Sequence, residues 1–168
     1  NTSAAWPAGT RKLKGTDAQL VIACAQSVEK ELRETGLSIP TRAIWNGIDF
    51  EEMRPEPSAL LRGRAWREGL GFGPTDFVLL SLANPRPQKR LHLLPGILRA
   101  TRDAIATSAW PREARLVIAG SASARSPVAA SSVRRLEQAI DGNGVREHVL
   151  QVGAVSDVLP CLLGSDVL

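Results

Sequence analysis

An α/β fold built on a Rossmann-like parallel sheet with flanking helices is predicted by three observations. Short apolar runs of strand length recur at Phe77–Leu82, Arg115–Ala119 and around His148–Val152. They alternate with stretches of helical period, the pattern of successive βαβ units joined by right-handed crossovers. A glycine directly follows the second and third runs, Gly120 and Gly153, marking strand ends where the chain must turn.

Residues 1–16 are polar and basic with Gly and Pro, and read as a loop or the frayed end of a helix. Leu20–Cys24 is a short strand. Ser27 is placed to cap the following helix, whose apolar face carries Val28 and Leu32, and Gly36 suits its C′ position. Thr41–Trp45 is extended and ends at Asn46-Gly47, a tight-turn signal, with Asp49 able to bond its own backbone. A linker is expected over residues 46–57, and then a helix over Ser58–Leu70 presenting Leu60, Leu61, Ala65 and Trp66.

Strand Phe77–Leu82 is apolar on both faces, as a covered parallel strand must be. A polar turn, Asn84–Lys89, leads to a helix over 90–106 with Leu91, Leu93, Leu94 and Leu98 at helical spacing. Strand 115–119 leads through a Ser/Ala-rich loop to a helix over 128–141. The strand near 148–152 leads to a helix over 156–163, with Ser156 as N-cap and Asp157 in its first turn. Asp166–Leu168 begins another strand. This is half of a doubly wound domain.

The net charge of +4, carried mostly by Arg, suits anionic partners. Tyr is absent and Phe scarce, which leaves no aromatic platform for single-stranded nucleic acid, so none is expected as partner. Two Cys and two His, far apart, exclude an ordinary zinc site, and Cys24 and Cys161 read as small buried hydrophobes in a reducing compartment. No apolar run approaches the about 18 residues of a membrane span. No export signal opens the chain, so a cytoplasmic location is expected, and both ends suggest an internal fragment.

Ligands of open α/β sheets sit beyond the carboxyl ends of the strands, against helix N-termini. The turn holding Asn84, Arg86 and Lys89 is therefore a candidate diphosphate site, and its plain alternative is a solvated basic loop. Gly120 permits close approach of backbone or ligand, or simply ends its strand. The turn at Gly153 and Ala154 could line a base pocket. Neither G-x-G-x-x-G nor G-x-x-x-x-G-K-[ST] occurs, which counts against NAD enzymes and P-loop ATPases. His92 and His148 have packing roles by default, and no catalytic triad or paired carboxylates are legible.

The order of these pieces resembles the retaining, group-1 type of GT-B glycosyltransferases, glycosyltransferase family four. Val21–Leu32 is similar to that family's "VIAxSxxVxxxL", and Trp45–Phe50 with Arg54-Pro55 to its "NGID…F.P" interdomain segment. Arg67–Leu70, Asp76–Leu82 and Pro87–Lys89 resemble "R…LG…VLLxVxRLxPQK". Arg115–Gly120, Val149–Gly153 and Ser165–Val167 fall where the family has "LxIxG", "VxFxG" and "ADV". The resemblance spans about Leu20 to Leu168. It implies residues 1–50 as the end of the N-terminal acceptor domain and the interdomain segment, and 51–168 as the first part of the C-terminal donor domain.

The activity so implied is sugar transfer, with retention, from a UDP- or GDP-sugar to a carbohydrate or lipid-linked acceptor. No metal or other cofactor is expected, and the basic surface permits peripheral contact at the inner membrane face. The family's phosphate-binding Lys falls on Lys89. The Arg usual five residues earlier is Asn84 here, and Arg86 could supply the guanidinium instead. The family's paired-glutamate motif follows the "ADV" strand and lies beyond Leu168, so the chain alone is expected to be inactive. The competing readings are a non-catalytic nucleotide-sugar-binding or interaction module and a nucleotide-sugar epimerase.

Overall fold

The computed structural model describes residues 18–51, 53–108, 113–122 and 126–168. The loop or frayed helix expected over residues 1–16 lies outside them. The chain divides into two compact units, Asn1–Met53 and Arg54–Leu168.

In the first unit, β1 (Val21–Ala23) pairs in parallel with β2 (Thr41–Ala43). Between them runs α1 (Gln26–Glu34). Its N-cap is Ala25, with no side-chain bond, and Ser27 lies inside the first turn rather than capping it. Gly36 adopts φ +74°, as the C′ position requires. Asn46-Gly47 forms no tight turn. The chain turns later, where Asp49 accepts from Glu51 N–H through Oδ1 (2.9 Å) and from Met53 N–H through its carbonyl (3.1 Å). Cys24 is exposed, against expectation. It follows Ala23, which is 2% exposed, and alternation along a strand turns the next side chain to the opposite face.

The second unit is a parallel sheet covered on both faces. Strands β3 (Phe77–Leu82), β4 (Ala114–Ala119) and β5 (Val149–Gly153) lie in the order β3-β4-β5. On the free edge of β3, Val167 bridges Leu79 in parallel. The chain thus steps outward from β3 to β5 and then returns to the other side of β3, which makes that strand's carboxyl end a topological switch point.

Alternation along the strands divides the core. Ala114, Leu116 and Ile118 pack with Leu98 of α3 (Leu94–Ala106) and with Leu136 and Ile140 of α4 (Pro127–Gly142). Val78, Leu80 and Val117 face the other way. They pack with Trp66 of α2 (Pro57–Gly69), with Phe72, and with Cys161 of α5 (Leu159–Leu163). A strand buried on both faces must be largely apolar, and only Ser81 in 77–82 and Arg115 in 114–119 depart from that.

The apolar face expected of α2 is displaced. Leu60 and Leu61 are 52% and 64% exposed and Ala65 is also exposed, while Ala59 and Gly63 are buried. The reason is the close approach of α5: a Cβ on Gly63 would lie 2.8 Å from Leu163 Cβ. Only small residues fit at that contact. From the same helix Arg67 reaches the carbonyls of Gly73 (3.1 Å), Asp76 and Gly164 (3.3 Å), and Asp166 Oδ2 (3.1 Å). Asp166 Oδ2 also accepts from Val78 N–H (2.8 Å), satisfying a donor at the edge of β3.

Two helix starts differ from expectation. The helix placed at 90–106 begins at Leu94, after short 3₁₀ turns over Pro87–Lys89 and Leu91–Leu93. Arg90 between them is left-handed (φ 48°), which breaks the helical path and leaves Leu93 51% exposed. The helix placed at 156–163 begins at Leu159. Ser156 does not cap it, and Asp157 Oδ1 instead accepts from Leu159 N–H (3.2 Å).

Candidate functional site

Two cavities open beyond the carboxyl ends of the strands. The first, about 470 Å³, is lined by the turn Asn84–Gln88, by Ser121, and by Ser126, Val128 and Ala129 at the start of α4. Arg86 is the only charged side chain among these residues. The second, about 360 Å³, lies over the ends of β3 and β4 and the loop after β5. Leu82, Ala83, Ala119, Gly120, Ala154, Val155 and Val158 line it, together with Asn84 and Ser121. No charged group among the described residues borders it.

The helix at the wall of the first cavity is α4, not α3. The 3₁₀ turns and the left-handed Arg90 separate the basic turn from Leu94, and the first turn of α3 contains Pro95, which has no N–H to offer. By contrast, Ser126 caps α4: its Oγ accepts from Ala129 N–H (3.2 Å), with Pro127 in the first helical position. The positive end of a 16-residue helix therefore borders the same space as Arg86.

The two cavities share Asn84 and Ser121. These are bonded to one another: Ser121 N–H donates to Asn84 Oδ1 (3.0 Å). Just below, Ala83 N–H donates to the Ala119 carbonyl (2.9 Å), and Gly120 N–H to the Gly153 carbonyl (2.7 Å). Gly120 has φ +152°, and a Cβ there would sit 2.6 Å from the Ala83 carbonyl carbon and 2.9 Å from Asn84 N. The loops after β3 and β4 cross in contact, and only glycine allows it.

The residues expected at a donor site are thus distributed unevenly. Asn84 and Arg86 line the first cavity, and Gly120 and Ala154 line the second. Gly153 lines neither, but its carbonyl holds the end of β5 to β4. Lys89 is exposed in its 3₁₀ turn and lines neither cavity. Ser121 and the start of α4 were not anticipated. Ser126-Pro127 is a legible N-cap signature, whereas Ser121 meets Asn84 only through the crossing of two loops.

The titratable residues with shifted pKa lie away from these cavities. At the opposite end of the sheet, Glu113 is held below the usual carboxylate range by its bond to Arg102 (2.7 Å) and by the charges of Arg102, His148 and Arg115. Burial, then the cations Arg102 and Arg115, lower His148. Its Nδ1 lies 3.2 Å from Arg115 Nη1 and 3.7 Å from Glu113. The neutral ring favours the first contact, accepting from Arg115, over an ion pair with Glu113. Burial raises the Cys161 thiol. No group of three or more His, Cys, Asp or Glu among the described residues could hold a metal ion. No helix among them is long and apolar enough to cross a membrane.

No protein-family model and no curated protein sequence matches the chain. Among solved structures it is similar to Anabaena HepE in complex with UDP and glucose. The TM-score is 0.71 and the identity 23%, over 89% of this chain and 36% of that one. The same protein with UDP-glucose gives a TM-score of 0.69 at 23% identity, over 89% of this chain and 37% of that one. A glycosyltransferase from Rickettsia africae gives 0.67 at 17% identity, over 96% of this chain and 41% of that one. The chain therefore spans about two fifths of these structures' length. At such identities the likeness establishes the fold: an α/β arrangement of parallel sheet and flanking helices, as in GT-B glycosyltransferases.

Proposed function

We propose that the chain is part of a retaining glycosyltransferase that takes a sugar from a UDP- or GDP-sugar. In this reading residues 51–168 are the first part of the donor-binding domain, and residues 1–50 are the end of the acceptor domain with the interdomain segment. The observation that carries it is the first cavity, whose one lining charge among the described residues is Arg86 and whose wall is the start of α4. Guanidinium and helix N-terminus together suit a diphosphate. The neighbouring uncharged cleft suits a nucleobase and ribose. In sugar transfer negative charge grows on the departing diphosphate, and a preplaced cation stabilises it most at the transition state. Lys89 is assigned to the same diphosphate from the family resemblance. HepE, whose fold the chain shares, was crystallised with UDP and UDP-glucose, which supports a nucleotide-sugar donor.

Titration of the chain with UDP and GDP tests this. Losing one charge-assisted contact costs about 1.5–3 kcal/mol, so Arg86→Ala should weaken binding of the preferred nucleotide about ten- to a hundredfold. If neither nucleotide binds, or if neither Arg86→Ala nor Lys89→Ala weakens binding, the donor assignment is wrong. One observation favours a second reading, a non-catalytic nucleotide-sugar-binding module. Asn84 replaces the Arg of the resembling family and its side chain is engaged with Ser121. Sugar transfer by the full-length polypeptide would exclude that reading.

A further inference from the structure

We infer that Asn84 is a positioning residue that latches the two halves of the nucleotide cleft together, not a ligand of the diphosphate. The inference rests on the donor-site reading above but is carried by separate geometry. Asn84 Oδ1 accepts from Ser121 N–H (3.0 Å), so its acceptor atom is committed to the loop after β4. Asn84 and Ser121 are the two residues common to both cavities, so the latch is the ridge between them. The loops are already pressed together beneath it at Ala83 and Gly120. Two residues on, Arg86 is free of this contact and supplies the charge at the cavity wall. Anion attraction and loop placement, which a single side chain could combine, are divided here between Arg86 and Asn84. A ligand spanning both halves must cross the ridge, so the latch sets where its uncharged part lies relative to its phosphates. The substrate class it fits is a nucleoside diphosphate whose ribose sits over Asn84 and Ser121.

The test uses the 168-residue chain with UDP and uridine, repeated with GDP and guanosine. Asn84→Ala should weaken nucleotide and nucleoside by the same factor, about three- to tenfold for one lost neutral hydrogen bond. Arg86→Ala should weaken the diphosphate alone. If Asn84→Ala weakens UDP or GDP but leaves the nucleoside unchanged, Asn84 is a phosphate ligand and the inference falls. Hydrogen exchange at the Ser121 amide gives a second readout that needs no nucleotide. It should speed up in Asn84→Ala and stay slow in Asn84→Asp, which keeps the acceptor oxygen. Unchanged exchange in Asn84→Ala overturns the latch even if no nucleotide binds. Absent binding with intact exchange effects overturns the donor reading alone.

Discussion

Replacing Gly120 by alanine should damage the second unit more than any other single-methyl change near the cleft. The added Cβ would sit 2.6 Å from the Ala83 carbonyl carbon and closer still to its oxygen. Ordinary contact begins at 3.4 Å and the oxygen lies at 2.3 Å, so the crossing loops must part by about 1.1 Å. That movement stretches the 3.0 Å bond from Ser121 to Asn84 beyond hydrogen-bond reach. Overpacking costs about 1–3 kcal/mol, and the lost bond about 0.5–1.5 kcal/mol. The backbone at φ +152° adds strain of about 1–3 kcal/mol for any residue with a Cβ. The total is on the order of 2.5–7.5 kcal/mol, against a typical domain stability of about 5–15 kcal/mol. Thermal unfolding of the chain should show Tm lower by on the order of 10–20 °C. Gly96→Ala is the control. It lies in α3, where the nearest atom to a new Cβ is 3.8 Å away, and helix propensity predicts a gain of about 0.5–1 kcal/mol. A Gly120→Ala protein within about 0.5 kcal/mol of the parent would refute the loop-crossing argument.

Asp166→Ala should destabilise by about 1–3 kcal/mol in urea unfolding, because it strands the Val78 N–H and removes the carboxylate partner of Arg67. Arg62→Ala breaks the exposed pair with Asp157 (2.8 Å) and should change stability by less than about 1 kcal/mol, since both side chains are more than half exposed. Stability should fall on acidification in two windows. The His148 pKa is lowered on folding, so the unfolded chain binds the extra proton, and its contribution is complete above 6.5 and lost as pH drops from there toward the folded value. Glu113 and Glu137 are lowered too, so their contributions hold above 4.5 and are lost below it. Denaturation midpoints measured across pH should show both windows, and His148→Gln should flatten the upper one alone.

The sheet and most of its helices were legible because their signals are local. Strand β3 was read over its exact span, since a strand covered on both faces needs a largely apolar run, broken here only by Ser81. The basic turn after it was legible as a candidate site because strand, turn and helix in that order place it at the carboxyl edge of a parallel sheet. Errors clustered where two distant segments decide the outcome. Leu60 and Leu61 have the right period for a buried face, but α5 presses on Ala59 and Gly63 instead. The turn ending at Lys89 was read as running straight into a helix from residue 90, although the left-handed Arg90 breaks the path and α3 begins only at Leu94.

By itself, then, the sequence determined the order of strands and helices, their parallel pairing as βαβ units, and the cationic turn at the sheet's carboxyl edge. Each follows from periodicity and turn chemistry within a few neighbouring residues. Only the tertiary structure decided that Arg86 lines the cavity while Lys89 does not, that α4 supplies the helix end, and that Asn84 binds a loop 37 residues away. Those outcomes depend on which loops cross and how closely backbones approach, and no local pattern encodes a distance between segments that meet only after the sheet has formed.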